Sequence, residues 1–520
     1  MLLTESRRSA TSAQSLPFVD RALLVGWWLL IAWGALAFGA VYPWAYTPLF
    51  AAAAIVGGLA HWRGRHSGPI PTAVRLVVVL LLIVGIGAAA QLVPLSRDTR
   101  LKFSPASDAF LSQVDVAYAA AVMAREQGFD NALVSTLDHR PLSIDPGSTR
   151  RALLMFGCLL VLFLGTVKWL GKVGTVHLTR GVIALGVLLA VIGIVQKAML
   201  GDHAFAGMKI YGFWEPRYKL TTPFGPFVNK NHYAGWMVMA LPLAMGHLLA
   251  AATVWLHRVR PGWRHRLLAL SSPDGARLQL IAFAIVLMGL ALALTMSRSG
   301  IGCFVLAGVI AAVAGARGAG SLRARVGMVA LVLALIAVAF AWADVDVTRR
   351  FTSGSESVRM RREAWRDAAA IVRDFPLVGT GLNTYGTATL TYKTAQTDLH
   401  FREAHNDYLQ LAAEGGVLLG VPLILALVCC LRAIRQRFAG DRYGSTSYWL
   451  RVGAATGLLA IALQSIVEFS LQMPGNAVLF TLLCAMALYR TPAAEGTHRP
   501  PDDLDRHQAS ATREARAARV

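Results

Sequence analysis

Acidic residues are scarce in this sequence. Asp and Glu number 29 against 50 Lys and Arg, a formal net charge of +21. Charge of either sign is sparse as well. Only 15% of residues are charged, where a soluble globular chain has about 25%, so a water-soluble domain is a poor fit. Cysteine is equally thin. Cys158, Cys303, Cys429, Cys430 and Cys484 all fall in apolar runs, and none has the spacing of a metal site or a redox pair. They read as small buried apolar side chains, which excludes a disulfide-stapled or zinc-stabilised scaffold. No His/Cys/Asp set has metal-ligand spacing, so no metal and no other cofactor is expected.

What the sequence has in abundance is apolar residues, 55% of the total, and they come in long runs rather than in narrow helical stripes. A membrane span needs roughly 20 such residues. By that measure twelve spans are expected, near 22–42, 44–61, 74–94, 150–170, 178–199, 232–256, 278–296, 299–316, 326–343, 411–431, 447–468 and 473–490. The fold class is therefore all-α, a polytopic membrane protein of about 12 transmembrane helices.

In a soluble protein the excess of Lys and Arg would suggest nucleic acid. Here it follows the positive-inside rule, and the partner is the lipid bilayer rather than nucleic acid. Every alternate short loop is basic. Examples are Arg63, Arg65 and Arg75; Lys168, Lys172 and Arg180; and Arg258, Arg260, Arg264, Arg266 and Arg277. Those loops and both termini are placed in the cytoplasm: a tail at 1–21 and a polar tail at 491–520 read as disordered, with the transmembrane domain at 22–490. About twenty polar residues precede the first apolar run, and the N-terminus does not read as a cleaved signal.

The remaining loops face outward, and 95–149, 200–231 and 344–410 are long. The last lies between the ninth and tenth expected helices. Before His405 it holds nine Lys/Arg against eight Asp/Glu, the charge balance of a small folded subdomain able to carry a site.

Four stretches facing outward carry the chemistry. The first, Asn229-Lys230-Asn231-His232, stands at the entrance of the sixth span. Asparagine both donates and accepts hydrogen bonds, which suits sugar hydroxyls, and lysine suits a phosphate; helix capping is the alternative use of Asn229 and Asn231. Arg217, just upstream, adds another cation. The second, Thr295-Met296-Ser297-Arg298-Ser299-Gly300, interrupts an apolar run too long for one span. It predicts a helical hairpin with Arg298 at an outward tip, where positive charge is disfavoured unless it binds an anion.

The third, with Arg359, Arg361, Arg362, Trp365 and Arg366, reads as an amphipathic helix on the membrane surface or over a cavity, ended by Pro376 and Gly379-Thr380-Gly381. The fourth, Ala404-His405-Asn406-Asp407-Tyr408, places a histidine where the polar loop re-enters the membrane. A group that takes a proton near neutral pH is a candidate general base there. Arginine and lysine for an anion, histidine for a proton and no metal cluster together point to a metal-independent reaction on an anionic, membrane-held substrate.

The ordered set Asn229-Lys230-Asn231-His232, Ser297-Arg298-Ser299-Gly300, Arg361 with Trp365 and Pro376-Leu377-Val378-Gly379-Thr380-Gly381, then His405-Asn406-Asp407-Tyr408 with Glu414-Gly415-Gly416, resembles the O-antigen ligase and O-antigen polymerase superfamily. The resemblance runs from Ser143-Ile144-Asp145-Pro146-Gly147 to the last span. It implies a bacterial inner-membrane glycosyltransferase with a periplasmic active site and an undecaprenyl-diphosphate-linked glycan as donor. The acceptor would be a hydroxyl of another lipid-linked repeat in a polymerase, of the lipid A core in a ligase, or of a protein in an O-oligosaccharyltransferase. Other polysaccharide-assembly proteins would be partners.

By the resemblance, His405 matches the catalytic histidine, Arg298 a diphosphate-binding arginine and Arg361 the arginine before the loop tryptophan; Arg217, Lys230 or Arg361 is expected to join Arg298 on the leaving diphosphate. Asn406 and the Asn229–Asn231 stretch would line the substrate site. Gln464, Glu468 and Gln472-Met473-Pro474-Gly475-Asn476 resemble the last-hairpin motif of the exopolysaccharide-cluster branch. An aspartate is the more usual acid there, so no role is assigned to Glu468. Polymerisation of surface polysaccharide repeats, with inversion at the anomeric carbon, is the expected reaction. A flippase for the same lipid-linked sugar is the rival class; it would not need an ordered outer loop ending in histidine.

Overall fold

A computed structural model describes residues 16–129, 132–200, 209–215, 222–318, 347–394 and 400–490. The tail at 491–520, the expected span at 326–343 and Arg217 lie outside these residues. The described residues are helical almost throughout. In chain order the helices are α1 Phe18–Leu36, α2 Pro43–Arg63, α3 Thr72–Ala90, α4 Arg97–Phe103, α5 Pro105–Val114, α6 Val116–Glu126, α7 Ala132–Ser135, α8 Pro146–Val173 and α9 Val176–Leu200. They continue as α10 Lys230–Arg258, α11 Trp263–Ala269, α12 Pro273–Leu294, α13 Arg298–Gly318, α14 Val347–Asp374, α15 Tyr385–Tyr392, α16 Asp407–Gly440, α17 Thr446–Gln464 and α18 Pro474–Leu488.

Among the described residues, nine helices are long and apolar enough to cross a membrane: α1, α2, α3, α8, α9, α10, α12, α13 and α16. The expected spans at 447–468 and 473–490 are present as helices α17 and α18, which fall outside that criterion; α18 is apolar but short. Helix starts follow local chemistry. Asp145, Asn229, Ser272, Asn406 and Ser445 each accept a backbone N–H of the first turn of their helix.

Small residues let the helices approach closely, as in other membrane bundles. α2 meets α8 where Gly57 faces Gly165, and α1 meets α18 where Gly34 faces Gly475. At either crossing a Cβ would collide with the opposing backbone. α10 runs along α17 and α12 through the middle of the core, with Tyr233, Trp236 and Met239 fully buried.

Above the bundle sits a separate small core. The sequence points to a subdomain in 344–410 alone, but two segments build it jointly. Phe110, Leu111, Tyr118 and Ile144 from the first long loop pack with Ala368, Ile371, Phe375 and Tyr385 from the third. A two-residue antiparallel pairing, β1 Pro94–Leu95 with β2 Arg140–Pro141, closes the first segment. Inside it Arg100 is fully buried against Asp108 and Tyr118, and Arg97 grips the same carboxylate at 2.9 Å and 3.0 Å.

In α14 the buried residues Ala364, Ala368 and Ile371 recur at helical spacing, so the expected amphipathic helix turns its apolar face onto this cap. The stretch Pro376–Gly381 then plugs a break in α16 at Gly416, which has φ +53°. There the N–H groups of Val417 and Leu418 donate to the carbonyls of Pro376 and Leu377, both at 2.9 Å. Backbone groups freed by a broken membrane helix are thereby satisfied by protein.

Candidate functional site

The segment between α17 and α18 carries Glu468, whose side chain is fully buried. Three distant parts of the chain converge on its carboxylate. Asn231 Nδ2, at the start of α10, donates to Oε1 at 2.6 Å. Arg361 of α14 forms an ion pair with the same oxygen. His405 Nδ1 lies 3.4 Å from Oε2. A buried carboxylate is tolerable when paired and hydrogen-bonded in this way. The neighbouring Phe469 stands edge-on to the rings of both His405 and His232, with centroids 4.7 Å apart in each case.

His405 is held from both sides. Its carbonyl accepts from Trp365 Nε1 at 3.3 Å. Before it, the Ala404 N–H donates to Gln410 Oε1; after it, the Asp407 N–H donates to the Ser465 carbonyl, both at 2.9 Å. Its backbone has φ +50°, a left-handed conformation that is uncommon for a non-glycine residue and costs of order 1–3 kcal/mol. These surrounding bonds sustain it. Next to it, burial raises the pKa of the Glu403 carboxyl, and the charge of Arg402 pulls it back only in part.

The hairpin tip docks on the same cluster. α12 ends at Leu294 and α13 begins at Arg298, as the interrupted apolar run predicts. Ser297 Oγ donates to Asn231 Oδ1 at 2.8 Å. Arg298 thus follows directly on a residue hydrogen-bonded to Asn231, which itself holds Glu468, and its side chain is exposed. Lys230 is half-buried beside Asn231 at the start of α10. The last hairpin completes the frame. Gln464 Nε2 and Ser470 Oγ donate to the Asn231 carbonyl, and Asn476 Nδ2 donates to the carbonyl of His232.

The structure divides the expected residues. His405, Arg361 and Asn231 meet on one carboxylate, and Arg298 and Lys230 are chain neighbours of that cluster. Asn229 and Asn406 commit their side-chain oxygens to helix starts, accepting from Asn231 N at 2.8 Å and Leu409 N at 3.0 Å. Arg361, expected on the substrate diphosphate, is engaged with Glu468; its five donors leave room for a second partner. The residue to which sequence reasoning assigned no role is Glu468. The signal for it was present, since an acid in an apolar hairpin is costly unless it has partners.

Glu414, behind the histidine motif, has a scaffold role. Its carboxylate accepts the N–H groups of Asn383 and Tyr385 and the amide of Gln410, tying the 376–385 loop to α16.

Chemically, with the Glu468 carboxylate accepting Nδ1–H, the nitrogen of the His405 ring left to accept a proton is Nε2. Arg298 and Lys230, chain neighbours of Ser297 and Asn231, add positive charge beside the cluster. Residues 283–424 match the protein-family model described as O-antigen ligase. The match runs from α12 across Arg298, Arg361 and His405 into α16, while Asn231 and Glu468 lie on either side of it. No curated protein matches the chain.

Proposed function

From the match of residues 283–424 to the O-antigen ligase family model, we propose that this chain transfers a glycan from an undecaprenyl-diphosphate carrier to an acceptor hydroxyl at the periplasmic face of the inner membrane. The observation that carries this reading is the convergence of His405, Arg361 and Asn231 on buried Glu468, with Arg298 beside them.

His405 Nε2 takes the proton of the acceptor hydroxyl as its oxygen attacks the anomeric carbon. The bond from that carbon to the diphosphate oxygen breaks, and its electron pair leaves with the diphosphate. Arg298 and Lys230 meet the charge that develops there, in a cleft where fixed cations act strongly. Attack opposite the leaving group inverts the anomeric carbon. Glu468 fixes the His405 tautomer and is a positioning residue; Arg361 and Asn231 keep it in place. General-base help of this kind contributes roughly 10²–10⁴-fold.

The long outer segments that build the cap, and the last hairpin with Gln464, Glu468 and Asn476, favour polymerisation of lipid-linked repeats over ligation to lipid A core. The test is His405→Ala assayed for glycan transfer in membranes. Loss of transfer with normal folding is expected, and parental transfer would refute the base assignment. In a deletion strain, loss of long chains with single repeats retained supports polymerisation; loss of all transfer to the core supports ligation.

A further inference from the structure

A cavity of about 660 Å³ opens between α9, α10 and α12. His247, which lines it, follows Asn231 by sixteen residues on the same helix. At 1.5 Å per residue that is about 24 Å. The cavity therefore lies well along the bundle from the Glu468 cluster, toward the loops whose basic residues mark the cytoplasmic side.

Its composition is split. Ile183, Val187, Ile281 and Phe283 form apolar walls, and Leu280 and Phe283 are largely exposed. Arg180, near the start of α9, and Arg277, near the start of α12, stand at the polar end, both exposed. His247 is buried in the wall, and its Nδ1, out of reach of solvent, has no hydrogen-bond partner among the described residues. Such a nitrogen is costly to leave unpaired, which makes the His247 end of the wall the polar end of an otherwise apolar lining. Asp274 offers little neutralisation, because it lies 3.2 Å from both Arg258 and Arg277 and is shared between them.

We propose that this cavity holds one anionic phospholipid of the inner leaflet. The phosphate lies between Arg180 and Arg277, a headgroup oxygen meets His247, and an acyl chain covers the apolar walls. A free phosphate ion would satisfy the arginines and leave those walls bare. A zwitterionic lipid would bring its own cation against two guanidinium groups. Basic pockets between transmembrane helices on this side of a membrane suit such headgroups.

The experiment uses the full-length protein, delipidated in detergent and then offered phosphatidylglycerol, phosphatidylcholine or inorganic phosphate. Retained lipid is counted by native mass spectrometry and thermal unfolding is followed. One phosphatidylglycerol per chain should be retained in preference to phosphatidylcholine and should raise the unfolding temperature. The R180Q/R277Q double variant should lose both effects, whereas R264Q/R266Q, altered in neighbouring α11, should keep them. His247→Leu preserves the apolar shape and should weaken retention, which keeps the test open if the double arginine variant does not fold. Equal retention of phosphatidylcholine, equal loss in R264Q/R266Q, unchanged retention in His247→Leu, or full stabilisation by inorganic phosphate would each overturn the proposal.

Discussion

Exchanging Glu468 for glutamine probes the site at its centre. The two carboxylate oxygens face different partners: Oε1 receives Asn231 Nδ2 and Arg361, and Oε2 faces His405 Nδ1. A glutamine has one acceptor and one donor end. Two donors on one side hold the amide oxygen there, so the NH2 group turns to His405. Nδ1 must then accept, and the ring proton moves to Nε2, the atom that should take the proton of the acceptor hydroxyl. Glu468→Gln therefore produces the wrong tautomer in a nearly unchanged frame.

The exchange also weakens the fold: a charge-assisted hydrogen bond contributes about 1.5–3 kcal/mol and a neutral one about 0.5–1.5, so each of the three bonds to the carboxylate loses about 1–1.5 kcal/mol. Its effect on transfer is large, the roughly 10²–10⁴-fold that general-base catalysis supplies. The assay is transfer from a lipid-linked glycan in membrane vesicles, with gel filtration and thermal unfolding in detergent to confirm the fold. Parental transfer by well-folded Glu468→Gln would refute the tautomer argument and with it the place of Glu468 behind His405.

Arg298→Lys is expected to lose most transfer, because a lysine cannot reproduce the two-pronged contact of a guanidinium with phosphate; full activity in the vesicle assay would count against a diphosphate contact. Gly475→Ala places a methyl group against the carbonyl of Gly34, and overpacking should lower stability by about 1–3 kcal/mol, read as an earlier thermal transition with α1 and α18 pushed apart. In the cap, burial alone would raise the Asp108 pKa, but bonds from Arg97 and Tyr118 and the charges of Arg97 and Arg100 outweigh it and hold the carboxyl below its ordinary 3.8. A depressed pKa means stability that is complete above about pH 4 and fades as pH falls through the lowered value. Asp108→Asn should therefore loosen the cap at pH 6, and the gap to the parent should close in strong acid, measured by hydrogen exchange of residues 97–129.

Much of the architecture is legible in the sequence because its determinants are local. Length and apolarity of a run decide whether it can span a bilayer, and each expected span among the described residues coincides with a helix. Helix starts at Asn229 and Asn406 are local in the same sense. The interruption at Thr295–Gly300 marked the α12–α13 turn because a charged, hydroxyl-rich stretch cannot continue an apolar run. His405 and Arg298 stood out on chemistry alone, as a titratable group and a cation where the membrane disfavours both.

What only the tertiary structure decided is which residues meet. Asn231, Arg361, His405 and Glu468 come from four segments far apart in the chain, and no spacing in sequence encodes their approach. The same holds for the cap, where residues 106–144 share one core with 368–413. A buried carboxylate needs compensating partners, but sequence cannot say from where; packing selects them by bringing complementary groups into one dry space. By itself the sequence determined a multi-spanning helical bundle and nominated a base and a cation. Folding gave that base its carboxylate, because only burial against distant segments turns an isolated acid into an ion pair.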